Sequence, residues 1–266
     1  MRGKFTLKDD YVYKMPVHFG GHPFVPVRTV YGEMTSIAIS FATDIDRLAE
    51  FIPDAFEILE PKVIVQYANA REVEWMAGGE YRLIQASVPV KYLGNDEGLT
   101  GEYVLVIWEN KACPIIGGRE EDGMPKIFAD IAVERHGGDH WFTRASYECN
   151  TFLQIDFWKQ GEVNEAAMAQ ATKNPGINYF AWRYLPNLGR GGATLSHATL
   201  YPQQVFLKQM WYGEGKLTWT ELTEEQHLLQ CGIIRAMSRL PVVKYFGAAM
   251  AKASAQLNVG DSRILP

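Results

Sequence analysis

The sequence predicts a mainly β fold of the α+β class: an antiparallel or mixed barrel or sandwich with helices added at the C-terminal end. Three observations predict it. Segments rich in β-branched and aromatic residues recur along most of the chain, short turns join most of them, and apolar residues at helical spacing are clear only near the end. No Gly- or Ser-rich linker divides the 266 residues, so one domain is expected over 1–266.

Residues 1–30 are aromatic, Pro-rich and irregular (Tyr11, Tyr13, Met15, Pro16, Pro23, Pro26) and read as an arm that packs on a neighbouring subunit of a homo-oligomer, a dimer or tetramer. Met34 to Phe41 alternates in part and reads as a strand. Thr43-Asp44-Ile45-Asp46 opens a short helix with Thr43 as N-cap; Leu48, Phe51 and Ile52 give it an apolar face and Pro53 stops it. Strands are then expected at Val63 to Tyr67, Tyr81 to Tyr92, Tyr103 to Trp108, Ile127 to Val133, Trp141 to Glu148, Phe152 to Phe157, His197 to Leu207 and Gln209 to Trp219. Thr223 to Arg239 carries a cap signature and apolar Leu228, Leu229, Ile233, Ile234 and Met237, which predicts a helix. Pro241 begins a second expected helix through Tyr245, Phe246, Ala249, Met250 and Ala253.

The bulk chemistry excludes several classes. A net charge of −5 argues against a nucleic-acid partner and gives no attraction to anionic lipid. Cys113, Cys149 and Cys231 are odd in number and widely spaced, so neither a disulfide framework nor a zinc site is expected. The first residues lack an apolar signal core and no run reaches the length of a membrane span, so the expectation is a reduced, cytoplasmic protein without a membrane partner.

Most motifs have plain readings. His18 with His22, and His136 with His140, share metal-like spacing, but Gly20-Gly21 and Gly137-Gly138 lie inside the pairs, so both are read as turn histidines and no metal is expected. Gly189-Arg190-Gly191-Gly192 lacks the preceding parallel strand and the GK[ST] ending of a phosphate loop and reads as an ordinary loop. No G-x-S-x-G elbow occurs. Glu224-Glu225 suits the first turn of a helix.

One lysine stands apart. Gly118-Arg119-Glu120-Glu121-Asp122-Gly123-Met124-Pro125-Lys126 places Lys126 after a proline, at the end of a polar turn and the start of an apolar strand pattern. Pro125 stiffens the segment. A lysine carried into an apolar interior loses charge stabilisation, and its amine is freed as a nucleophile. Glu120, Glu121 and Asp122 stand near enough in sequence to move protons if they face the same cavity.

These residues resemble a family. Pro114-Ile115-Ile116-Gly117-Gly118-Arg119-Glu120 followed by Gly123-Met124-Pro125-Lys126 is similar to the G-R-E-x-x-x-x-P-K segment of the acetoacetate decarboxylase superfamily. Thr43-Asp44, Leu48, Pro53, Glu57 and Glu60-Pro61, and later Leu240-Pro241-Val242, resemble further family patches, so the likeness runs from about Thr35 to Leu257. The resemblance implies a cone-like β-barrel and makes Lys126 the Schiff-base lysine. In that family the lysine is activated by desolvation or by a cationic neighbour. The decarboxylases carry a second lysine next to the first, where this chain has Ile127. In register from Glu60-Pro61, the family's two glutamates fall on Gln66 and Leu83, with Tyr81 and Gln85 on the latter's strand, and its arginine falls on Met34 with Arg28 upstream.

Without those acids the resemblance implies a pyruvate aldolase-dehydratase or hydratase acting on short 2-oxo acids. Lys126 is its nucleophile and Asp122 or Glu121 its proton shuttle; Gln66, Arg119 or Arg28 hold the carboxylate, and Tyr81 or Tyr245 orients the carbonyl. No cofactor is implied, because the iminium is itself the electron sink. The alternatives are a β-keto acid decarboxylase and a non-catalytic barrel with an aromatic-lined ligand pocket.

Overall fold

A computed structural model describes residues 1–26, 28–95 and 98–266. Its elements, in chain order, begin with β1 (Tyr11–Tyr13) and β2 (Gly21–Pro23), a small hairpin in the N-terminal arm. They continue with β3 (Arg28–Ala42), α1 (Ile45–Ala49), β4 (Phe56–Ile58), β5 (Lys62–Val73), β6 (Gly79–Tyr92), β7 (Thr100–Glu109), α2 (Ala112–Glu120), β8 (Lys126–Phe128), β9 (Asp130–Ile131), β10 (Arg135–Gly137), β11 (His140–Tyr147) and β12 (Asn150–Glu162). Then come α3 (Glu165–Ala171), β13 (Gly176–Pro186), β14 (Ala193–Trp219), α4 (Glu224–His227), α5 (Cys231–Ser238), β15 (Lys244–Asn258) and β16 (Arg263–Ile264).

The large sheet runs β10-β11-β12-β14-β13-β7-β6-β5-β3-β15, and β15 returns to pair with β14. The strands from β14 through β13, β7, β6, β5 and β3 to β15 therefore close into a ring, antiparallel except where β13 meets β7. The 27-residue β14 makes this possible: its first part pairs with β13, its middle with β15 and its end with β12. Every strand of the ring gives at least one residue to the smaller apolar cluster, which includes Tyr31, Ala70, Tyr81, Ile107, Tyr179, Tyr201 and Ala255. That cluster lines the inside of the ring. The larger core, with Trp108, Phe41, Phe152, Phe157 and Phe180, lies on the other face, under β11, β12 and α5. Alternation along each strand sends one set of side chains inward and the other to this outer core.

Several expectations are corrected. The 241–253 segment is not a helix: β15 spans Lys244–Asn258, because its backbone pairs with β3 on one side and β14 on the other. The helix expected over Thr223 to Arg239 is two pieces, α4 and α5. Gln230 is turned inward between them, accepting from Trp108 Nε1 at 3.0 Å and donating to the Phe128 carbonyl at 2.7 Å. Leu228 and Leu229 stand in the break and are exposed rather than on an apolar face. Thr223 does cap α4, in a reciprocal capping box with Gln226. Asp44, not Thr43, caps α1, accepting from the Arg47 amide. The strand expected over Ile127 to Val133 is only the short β8 and β9. His197 to Leu207 and Gln209 to Trp219 are one strand with a register shift between Leu207 and Gln209. Helices α2 and α3 and strand β13 fall where no regular element was expected. No helix among the described residues is long and apolar enough to cross a membrane.

Candidate functional site

Lys126 is held where three local facts meet. Helix α2 ends in the Gly117-Gly118-Arg119-Glu120 stretch, and the chain turns back through Gly123, whose φ of +70° suits a residue without Cβ. The Met124 amide donates to the Gly118 carbonyl at 2.9 Å, and the Ile107 amide donates to the Pro125 carbonyl at 3.0 Å. β8 then runs parallel to the end of β7, with Lys126 opposite Ile107. It occupies the edge of β7 that β13, paired only at Glu102 and Tyr103, leaves open. Gly118 matters for close approach: a Cβ there would stand 2.4 Å from Lys126 Cε and 2.7 Å from Nζ.

The lysine side chain is 12% exposed. Its Nζ lies 2.9 Å from Glu109 Oε1 and donates to the Pro114 carbonyl at 3.3 Å. Glu109 is completely buried. The contact with Lys126 is an ion pair by distance, but among the described residues neither Glu109 oxygen has a donor in good hydrogen-bond geometry. Burial pushes the Glu109 carboxyl up, against the pull of Lys126.

Residues directly opposite one another on a ladder share a face. Lys126 is opposite Ile107, Ile107 opposite Gln85, Gln85 opposite Gln66, and Gln66 opposite Ala38. The next row on that face carries Glu109, Leu83, Ala68 and Ser36, and the one beyond carries Tyr81, Ala70 and Met34. The inside of the ring therefore presents an amine, a buried carboxylate, two amides and a phenol over a floor of small residues. Gln85 is 7% exposed, and among the described residues its Nε2 has no partner in good geometry. Tyr81 is 4% exposed, with its ring 6.3 Å from that of Tyr31; burial first, then Tyr31 and Glu109, raise its phenol well above the usual range.

Asp122 belongs to the same cluster. Burial raises its carboxyl to about 6; Lys126 opposes this, Glu121 adds to it, and the Ser262 hydroxyl at 3.5 Å pulls it down. Glu121 turns to the arm instead and pairs with Lys14 at 2.8 Å. Arg119 is exposed and donates to the Lys126 carbonyl at 3.0 Å, tying the lysine's backbone to α2. Arg28 is exposed at the start of β3, in register with Asn258 and outside the lysine's contacts. Tyr245 sits opposite Phe41 on the outer core, where its oxygen accepts from the Leu217 amide at 3.5 Å, so it is on the wrong face to meet Lys126. Sequence reasoning missed Glu109 beside the lysine and the need for Gly118. An acid closing an apolar strand reads as a strand end, and only the register with Leu83 and Phe128 and the contact with Lys126 reveal it.

The arrangement suits carbonyl chemistry: a shielded amine next to two carboxyl groups whose pKa burial has raised. The family model for acetoacetate decarboxylase (ADC) matches residues 14–264. The acetoacetate decarboxylase of Burkholderia mallei (strain NCTC 10229) is 27% identical over 249 residues, covering 94% of this chain and 93% of the relative. The solved acetoacetate decarboxylase of Legionella pneumophila subsp. pneumophila str. Philadelphia 1 superposes with a TM-score of 0.74 at 20% identity, covering 100% of this chain and 92% of that one. The enduracididine biosynthesis enzyme MppR complexed with pyruvate superposes with a TM-score of 0.71 at 14% identity, covering 96% and 97% of the two chains.

Proposed function

From the premise that this chain belongs to the acetoacetate decarboxylase family, we propose that it is a Schiff-base-forming lyase, of the pyruvate aldolase-dehydratase or hydratase type, that acts on short 2-oxo acids through Lys126. The observation that carries the reading is a 12% exposed lysine whose charge is felt by Asp122, a carboxyl that burial raises to about 6. Cleaving a C3–H bond of the iminium needs a base effective near neutral pH, and burial has brought Asp122 there.

The steps balance in protons. The amine of Lys126 adds to the keto carbon, one proton is taken up and water leaves, giving a cationic imine. Asp122 takes a proton from C3, and the electron pair moves into the C2–C3 bond as the imine cation is neutralised to an enamine. The enamine carbon attacks an aldehyde, whose oxygen recovers the proton from Asp122. Loss of that hydroxyl as water, or addition of water to an unsaturated product, runs through the same groups. Gln66 and Gln85 face this centre with amide donors suited to a substrate carboxylate. The fold neighbour MppR was solved with pyruvate, which supports the 2-oxo acid class.

A second reading is a β-keto acid decarboxylase. The curated relatives' name favours it, and so does Glu109, which supplies beside the lysine an acid that Leu83, directly opposite, does not. Borohydride reduction during incubation with pyruvate or acetoacetate separates the two. The lyase reading expects a pyruvate adduct on Lys126, found by peptide mapping, with no CO2 released. CO2 from acetoacetate supports the decarboxylase. Absence of an adduct with either keto acid overturns both and leaves a ligand-binding barrel.

A further inference from the structure

We propose that Glu109 is the proton carrier of Lys126: it accepts the proton that frees the amine, returns it to the oxygen that leaves as water, and remains as counter-ion of the iminium. The proposal rests on the Schiff-base reading above. Its basis is the way the carboxylate is held. Glu109 is 0% exposed, its Oε1 is 2.9 Å from Lys126 Nζ, and among the described residues neither oxygen is met by a donor in good hydrogen-bond geometry. A carboxylate that only pinned a strand end would gain by recruiting amides or hydroxyls to its lone pairs, because an undersolvated buried charge is costly. Among the described residues the one cation placed against this carboxylate is the Lys126 amine.

Leu83 stands directly opposite Glu109 in the ladder. Titratable groups around the pair include Tyr81, Tyr201 and Asp122, with Tyr31 and Glu121 beyond them, and burial raises the pKa of the first three. Moving one proton from ammonium to carboxylate removes two charges from a low-dielectric space in one step. Burial also raises the Glu109 carboxyl, which makes it the stronger base.

The cycle closes. Lys126 ammonium and Glu109 carboxylate become amine and carboxylic acid. The nitrogen attacks the carbonyl carbon, the C=O π pair moves to oxygen, and the nitrogen's surplus proton passes to that oxygen. The Glu109 acid protonates the resulting hydroxyl, the C–O bond breaks, water leaves, and the nitrogen lone pair closes the C=N bond. Of the three ammonium hydrogens, one stays on the iminium and two leave in water, and the Glu109 carboxylate is restored beside the new cation.

The test uses formaldehyde with cyanoborohydride, which methylates a lysine through an imine whatever the natural substrate is. Labelling at Lys126 is followed by peptide mapping, with exposed Lys4 and Lys173 as internal standards. Glu109→Gln is expected to slow Lys126 labelling about a hundredfold at pH 7, the scale of general acid–base catalysis, with the standards unchanged. Glu109→Asp should recover part of the rate. Equal or faster labelling of Lys126 in Glu109→Gln would show that the carboxylate merely holds the ammonium in place, and would overturn the proposal. If circular dichroism shows that Glu109→Gln does not fold, Glu109→Asp decides: slower labelling supports the carrier and a wild-type rate overturns it. Pyruvate and acetoacetate trapping is run in parallel on the wild-type protein. Failure there with normal formaldehyde labelling sinks the keto-acid reading while the Glu109 comparison still stands.

Discussion

At the scale of single residues, the site depends on how closely Lys126 lies against α2. Gly118→Ala would put a methyl group 2.4 Å from Lys126 Cε. We expect the lysine to be displaced and keto-acid trapping lost, with a stability cost of about 1–3 kcal/mol from overpacking; denaturant titration and mass mapping check the two parts separately. Asp122 gives a pH prediction. Folding raises its carboxyl from an ordinary 3.8 to about 6, so the native state holds this proton more tightly than the unfolded chain. Its contribution is therefore neutral below about pH 4 and becomes a growing cost as the pH rises towards 6, reaching at most about 3 kcal/mol at 1.36 kcal/mol per pH unit. Asp122→Asn should raise the melting temperature at pH 7–8, leave it unchanged near pH 4, and depress turnover. A melting curve that shifts equally at both pH values would contradict this assignment. Lys126 was singled out by the likeness of its segment to the family's G-R-E…P-K pattern, because local pattern alone reads a lysine beside a turn as a surface residue. Glu109 was not, because its partner is seventeen residues away and across a strand pair.

At the scale of elements, burial rather than local pattern decides what each segment contributes. Leu229 and Ile234 both fit the apolar spacing that predicted one long helix. Leu229 is 81% exposed in the break between α4 and α5, whereas Ile234 is 0% exposed under the sheet. Ile234→Ala should cost about 2–5 kcal/mol in denaturant unfolding, and Leu229→Ala should stay within about 0.5 kcal/mol. Equal costs would mean that the helix is continuous after all. β15 makes the same point. Its run of small residues from Gly247 to Ala255 is compatible with helix by composition. Pairing along β3 and β14 satisfies its backbone on both edges, and that tertiary gain outweighs a weak intrinsic preference.

At the scale of the whole molecule, the two cores lie on opposite faces of one sheet and share its strands. Neither can melt while the other keeps its strands ordered. Thermal unfolding should therefore be a single transition, with far-ultraviolet and near-ultraviolet circular dichroism coincident; two resolved transitions would show that the ring and the outer layer are separate cooperative units. The class of fold, most strand positions, the capped start of α4 and the segment bearing Lys126 were set by the chain's own composition and spacing. These are short-range properties: alternation, turn chemistry and a stiff proline act over a few residues. Closure of the ring through β14 and β15, the conversion of an expected helix into a strand, and the placing of Glu109 against Lys126 were decided only in three dimensions. Register between strands distant in sequence fixes which side chains share a face, and no local pattern encodes that register.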